Sequence, residues 1–157
     1  MGMTAVLIPL ATLDLQRIKR DPDAIAALLE REEGVSLDKM WHALHFMLTG
    51  RVDAADPPLG DAILGGTETG DDLGLGPARV LTPEQVRAVD QELAHVTRHD
   101  LRDRFRPILF ADRDLYPQMW DQPREELLAL LTAAFDALVD CYRAAAARGD
   151  GMLLTLR

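Results

Sequence analysis

The chain has 157 residues, 48% of them apolar and 27% charged, enough for one hydrophobic core and short for two ordinary domains. Seventeen lysines and arginines against 26 aspartates and glutamates leave a net charge of −9 and a pI near 4.8. That balance disfavours nucleic acid and anionic membrane, and makes a basic protein surface the most favoured macromolecular partner, although simple solubility accounts for the same charge.

Cys141 is the single cysteine, so no intrachain disulfide is expected and a reducing cytoplasm is the natural compartment. The apolar run Ala5-Val6-Leu7-Ile8-Pro9-Leu10 has no basic residue before it and is too short for a signal peptide or a membrane span. Met1-Gly2 would suit N-myristoylation, but Val6 stands where Ser or Thr is needed. Fifteen arginines to two lysines, with abundant alanine, fit a GC-rich bacterial genome.

Met3 to Ile8 reads as a buried strand. Thr12–Arg20 and residues 22–32 read as two short helices divided at Asp21-Pro22, with Ile25, Leu28 and Leu29 as the apolar stripe of the second. A third helix starts at Ser36 or Leu37 and stops at Gly50. Its Met40, Trp41, Leu44, Met47 and Leu48 share one buried face, while Asp38, His42, His45 and Thr49 fall on the neighbouring stripe. Polar groups thus sit at the edge of a core.

Residues 52–78 carry six carboxylates, no cation or histidine, and six glycines from Gly60 to Gly76. They read as a long acidic loop with one helical turn near Leu59 to Leu64, and loops of that length tend to be functional. Arg79 to Leu81 reads as a short strand. Thr82 caps a helix opening at Pro83, with Val86, Val89, Leu93 and Val96 buried. A short helix over Asp100 to Phe105 leads into an irregular stretch from Pro107 to Pro123. Pro123 to Arg148 is the strongest helix, closed by Gly149, and Met152 to Leu156 a terminal strand. Three short strands without a βαβ series predict an α+β class: one mainly helical domain over residues 1–157, packed with a small sheet.

The opening Met1-Gly2-Met3 and the pattern Asp38-Lys39, Trp41, Leu44-His45-Phe46 and Leu48-Thr49-Gly50 resemble the YfbM-like family of small bacterial proteins. Ile63-Leu64-Gly65-Gly66, Tyr116-Pro117 with Trp120, and Tyr142-Arg143 with Gly149 extend the likeness end to end. The resemblance implies a compact α+β domain of unknown function and supplies no catalytic residues. His42 occupies a position that the motif leaves free.

Several residue sets offer chemistry, each beside a plain structural role. His42 and His45 are spaced i, i+3 and His95 and His99 i, i+4, so either pair could meet on a helix face, with Glu32, Asp38 or Asp100 as oxygen ligands. The second pair lacks the glutamate of a His-Glu-x-x-His site and reads as surface. Cys141 lies on an apolar helix face with no base beside it. Ser36 is the only serine and no Gly-x-Ser-x-Gly occurs. Thr49 is the threonine left as a nucleophile candidate, but nothing specifically favours it, and its ordinary role is back-bonding to a helical carbonyl.

Gly65-Gly66 and Gly74-Leu75-Gly76 resemble phosphate loops only in glycine content, and the nearby carboxylates would repel phosphate. Those carboxylates also lack the spacing of an EF-hand. The run Arg98, Arg102, Arg104, Arg106, Arg113 alternates with aspartates and reads as a salt-bridged surface.

Trp41, Tyr116 and Trp120 are scarce in a chain with 5% aromatics, and together with His45 and Thr49 they are the expected ligand- or partner-binding residues. Core packing is the ordinary alternative for Trp41. A pocket is expected where the third helix meets residues 112–120, with His45 and Asp38 as its polar groups and residues 52–78 as its cover. The leading expectation is a cytoplasmic, non-catalytic binding module, in one form an acidic inhibitor or immunity-type protein, needing no cofactor. The alternatives are a small-molecule enzyme with His45 as general acid–base oriented by Asp38, and a metal-dependent hydrolase using the histidine pairs.

Overall fold

A computed structural model describes residues 2–31 and 34–157 of the chain. Among these residues, five strands form one antiparallel sheet: β1 (Ala5–Leu10), β2 (Val35–Ser36), β3 (Thr67–Asp72), β4 (Pro77–Leu81) and β5 (Gly151–Leu156), in the order β2-β1-β5-β4-β3. Eight helices accompany them: α1 (Thr12–Arg20), α2 (Ala24–Leu29), α3 (Trp41–Thr49), α4 (Asp61–Leu64), α5 (Pro83–Leu93), α6 (Arg98–Arg104), α7 (Pro107–Asp112) and α8 (Arg124–Arg148). The class is α+β, as the sequence predicts, with two more strands than expected.

Side-chain alternation along the central strands explains why helices cover both faces. Leu7 pairs with Leu154 and Leu81 with Met152, and all four enter the main core beneath α3, α4, α5 and α8. Ile8 pairs with Leu153, which pairs in turn with Val80, and these meet Ile18 of α1 and Ile25 and Leu28 of α2 on the opposite face. α8 runs about 37 Å at ~1.5 Å per residue and packs against α3, α5, α6, β1, β2 and β5. Its Tyr142 is fully buried and donates to the Ala62 carbonyl of α4 at 2.7 Å, joining the two elements through a satisfied polar group.

Four expectations change. The third helix is a 3-10 turn over Asp38–Met40 followed by α3, and its N-terminal side is stabilised by Ser36 Oγ accepting from the Asp38 amide at 3.1 Å. The second half of the expected loop is a hairpin: β3 and β4 pair from Thr67 with Val80, with a register shift between Thr69 and Asp72. The Asp72 carboxylate closes its turn by accepting from the Gly74 amide at 2.7 Å and the Gly76 amide at 3.1 Å. Pro107–Asp112, expected to be irregular, is α7. β2 was not anticipated. The expected extension of the second helix to Glu32, and the Glu32 carboxylate as a metal ligand, lie outside the described residues, as does Met1.

Candidate functional site

The distinctive residues of α3 do converge, but they converge inward. Trp41 is 5% exposed and stacks on His42 at 4.8 Å and on Tyr116 at 6.0 Å between ring centroids. Its indole N–H donates to the Met3 carbonyl at 3.2 Å, and the Tyr116 hydroxyl accepts from the Met3 amide at 2.7 Å. One indole and one phenol therefore hold both polar groups of a single N-terminal residue. Trp120 is 6% exposed, donates to the Leu115 carbonyl at 2.9 Å and meets Phe110 edge-on at 5.2 Å. The junction of α3 with residues 112–120 is thus a packed aromatic seam, where the sequence predicts a pocket.

The histidines complete that seam. After Gly50 ends α3 in a left-handed turn (φ 72°), the chain doubles back across the helix. His42 Nε2 donates to the Val52 carbonyl at 3.1 Å and its Nδ1 accepts from the Tyr116 amide at 3.0 Å. His45 Nε2 donates to the Asp53 carbonyl at 2.7 Å. A carbonyl only accepts, so both rings carry their proton on Nε2, and burial pushes both below the usual histidine range. His45 is 0% exposed, and its Nδ1 is the one buried side-chain polar atom without a partner among the described residues.

Asp38, expected to orient His45, is exposed, and the charged groups facing the His45 ring are Arg79 and Asp53. With the ring sealed in the interior and bonded to the Asp53 carbonyl, the proton-transfer pair drawn from the sequence is not assembled. The Thr49 hydroxyl donates to the His45 carbonyl at 2.8 Å and accepts from the Arg51 amide at 3.1 Å, so it finishes the helix.

The second histidine pair lies far from this chemistry. His99 faces Asp103 at 3.3 Å on an exposed helix, and His95 is exposed. Asp100, the other oxygen-ligand candidate, closes a reciprocal cap with Thr97. Among the described residues no three His, Cys, Asp or Glu side chains are placed to hold a metal together. The Cys141 thiol is buried and its pKa is pushed up to about 11 by that burial, so it is a weak nucleophile near neutrality. Of the arginine run, Arg98 pairs with Asp136 and Arg102 with Glu125, both carboxylates of α8 rather than the interleaved aspartates, and Arg104 donates to the Met47 carbonyl.

Two groups escaped sequence reasoning. Arg79 of β4 is turned inward, donates to the Gly65 carbonyl at 2.9 Å and faces Glu68 and Tyr142. Alternation along β4 is the signal that would have found it, since Leu81 two residues on is in the main core. Asp14 of α1 receives two hydrogen bonds from Arg31, at 2.9 and 3.1 Å, across 17 residues that no local pattern links.

Open surface features lie elsewhere. A cleft of about 400 Å³ at the C-terminal end of α3 is lined by Phe46, Thr49, Arg104, Arg106 and Leu109, and Arg104 already donates there to the Met47 carbonyl at 3.1 Å. A groove of about 180 Å³ runs between the start of α2 and the β3–β4 hairpin, lined by Pro22, Asp23, Ile25, Gly70, Asp71 and Leu73. The hairpin carries Glu68, Asp71 and Asp72 and exposes Leu73 (45%) and Leu75 (42%). No described helix is long and apolar enough to cross a membrane.

Comparison with known proteins agrees with this picture of a fold without a recognised chemistry. The profile described as "Domain of unknown function (DUF1877)" matches residues 1–155. A solved structure described as a protein of unknown function, YfbM from Escherichia coli, superposes with a TM-score of 0.79. It is 24% identical and the match covers 98% of this chain and 99% of that one. No curated protein matches. At that identity the superposition carries the fold alone, while the near-complete profile match places the chain in the YfbM-like, DUF1877 family.

Proposed function

We propose that this protein is a binding module without catalysis of its own, and that its working surface is the acidic hairpin face formed by β3, the turn into β4 and the start of α2. The observation that carries this reading is the pair of exposed leucines, Leu73 and Leu75, set among Glu68, Asp71 and Asp72 beside an apolar-walled groove. Exposed apolar side chains ringed by charge of one sign suit a partner that is basic around an apolar anchor. The acid supplies steering and the leucines supply area removed from water. β3 is also an edge strand, and its charges and irregular register discourage indiscriminate strand pairing while leaving the side chains available. An inhibitor or immunity-type role against a basic protein is one concrete form.

The test is capture from the native cell with three baits: wild type, Asp23→Lys/Asp71→Lys, and Leu73→Ser/Leu75→Ser. Asp72 is spared because its carboxylate builds the turn. A protein held by wild type at low salt, released as ionic strength rises, and lost from both variants while their melting curves match wild type supports the reading. Equal retention by all three baits would refute it.

A further inference from the structure

The hydrogen bonds of α3 carry an inference independent of the hairpin reading. We infer that His42 and His45 form an acid-released clamp: on mild acidification residues 51–53 and the Tyr116 backbone detach from α3 while the sheet and α8 stay folded.

The geometry leaves neither ring room for a second proton. His42 already uses both nitrogens, donating from Nε2 to Val52 and accepting at Nδ1 from the Tyr116 amide. A proton on Nδ1 would set N–H against N–H, and that contact must open. The His45 ring donates from Nε2 to Asp53, and its Nδ1 is buried with no acceptor. A proton there would be a buried cation donor without a partner, one of the costliest arrangements in an interior.

The surroundings favour opening over accommodation. Facing the rings are Asp53 from the returning segment, Arg79 from β4, and each ring itself toward the other. Asp53 is the favourable partner, but it belongs to the segment that would leave, and its exposed side chain is already solvated. Arg79 is a same-sign neighbour fixed by the Gly65 carbonyl. From residues 112–120 the Tyr116 phenol is committed to the Met3 amide. Beyond Arg79 stand Tyr142 of α8 and Asp61 of α4. Tyr142 is bonded to Ala62, and burial raises both groups toward their neutral forms.

Opening lets water reach both rings and restores ordinary histidine basicity, so each proton taken up favours the open form. Linkage then predicts that the open population grows by up to about tenfold per pH unit per histidine below roughly pH 6.5. The elements that should resist are held by strand ladders that contain no histidine and by the apolar packing of α5 and the sheet on α8.

The experiment is amide exchange by NMR on the whole chain from pH 7.5 to 5.0, corrected for intrinsic exchange. The Tyr116 amide reports on the clamp, and the amides of Leu131 and Leu138 in α8 report on the fold. Ring nitrogen shifts of His42 and His45 are recorded in parallel. The expected result is Nε2-protonated neutral rings at pH 7.5 and a Tyr116 protection factor falling at least about tenfold between pH 6.5 and 5.5, with α8 unchanged. Constant Tyr116 protection would overturn the clamp. So would loss only in step with α8, or charged rings with the Tyr116 amide still protected.

Discussion

Trp41, His42 and Tyr116, together with His45 through its Nε2, bond backbone groups of segments that α3 must hold: residue 3, residues 52–53 and residue 116. Trp41→Phe keeps most of the stacking but strands the Met3 carbonyl, and should cost about 1–3 kcal/mol in urea unfolding. The two histidines also set a pH dependence for the whole fold. Burial lowers both pKa values in the folded protein, so above about 6.5 neither state holds the extra protons and full stability is present. Below that value the unfolded chain takes up protons the fold refuses. Stability should therefore fall as pH drops from 6.5, a trend that urea midpoints at constant ionic strength would expose as present or absent.

The sequence made these residues conspicuous through rarity and helical spacing, and Trp41 and His45 do share the edge of the core. It could not show that their partners are carbonyls at 52 and 53 and an amide at 116, because backbone groups leave no mark in composition. That is why a binding pocket was expected where a structural seam exists.

At the scale of elements, local chemistry was most legible where side chains bond to their own helix ends. Thr82 and Gln85 form a reciprocal cap at α5, with Pro83 in its first turn. Thr82→Ala should lower stability by about 1 kcal/mol, read from the shift in urea midpoint. Two glycines separate backbone conformation from crowding. Gly50 has open space around an added Cβ but a φ of 72°, so Gly50→Ala should cost about 1–2 kcal/mol.

Gly60 has ordinary dihedrals, yet an added Cβ would overlap the Ala55 carbonyl within the return segment. Gly60→Ala should cost about 1–3 kcal/mol by overpacking, and unlike Gly50→Ala should raise exchange across residues 51–59. β3 was illegible for a physical reason. Its residues Thr67–Asp72 include no large apolar side chain, five of the six are exposed, and no alternation can develop on a strand that buries neither face. β2 has only two residues, and α7 is a six-residue helix inside a proline-flanked stretch. Their place is set by tertiary packing: Phe110 of α7 is wedged against Phe46, Phe105 and Trp120.

For the molecule as a whole, the division of labour follows burial. The interior consumes the tryptophans, His45, Tyr142 and Cys141, whereas the exposed hairpin combines charge and uncovered leucine. The α+β class and the terminal positions of β1 and β5 were readable from apolar runs at the two ends. Their pairing at the centre of the sheet was not, since it joins residues about 150 apart. The most direct measurement is hydrogen exchange over the entire chain, free and bound to the protein captured by wild type. With the hairpin face as the working surface, added protection is expected across residues 67–76 and 21–26, with α3 and residues 112–120 unchanged. Protection gained at α3 and residues 112–120 with the hairpin unaltered would contradict it.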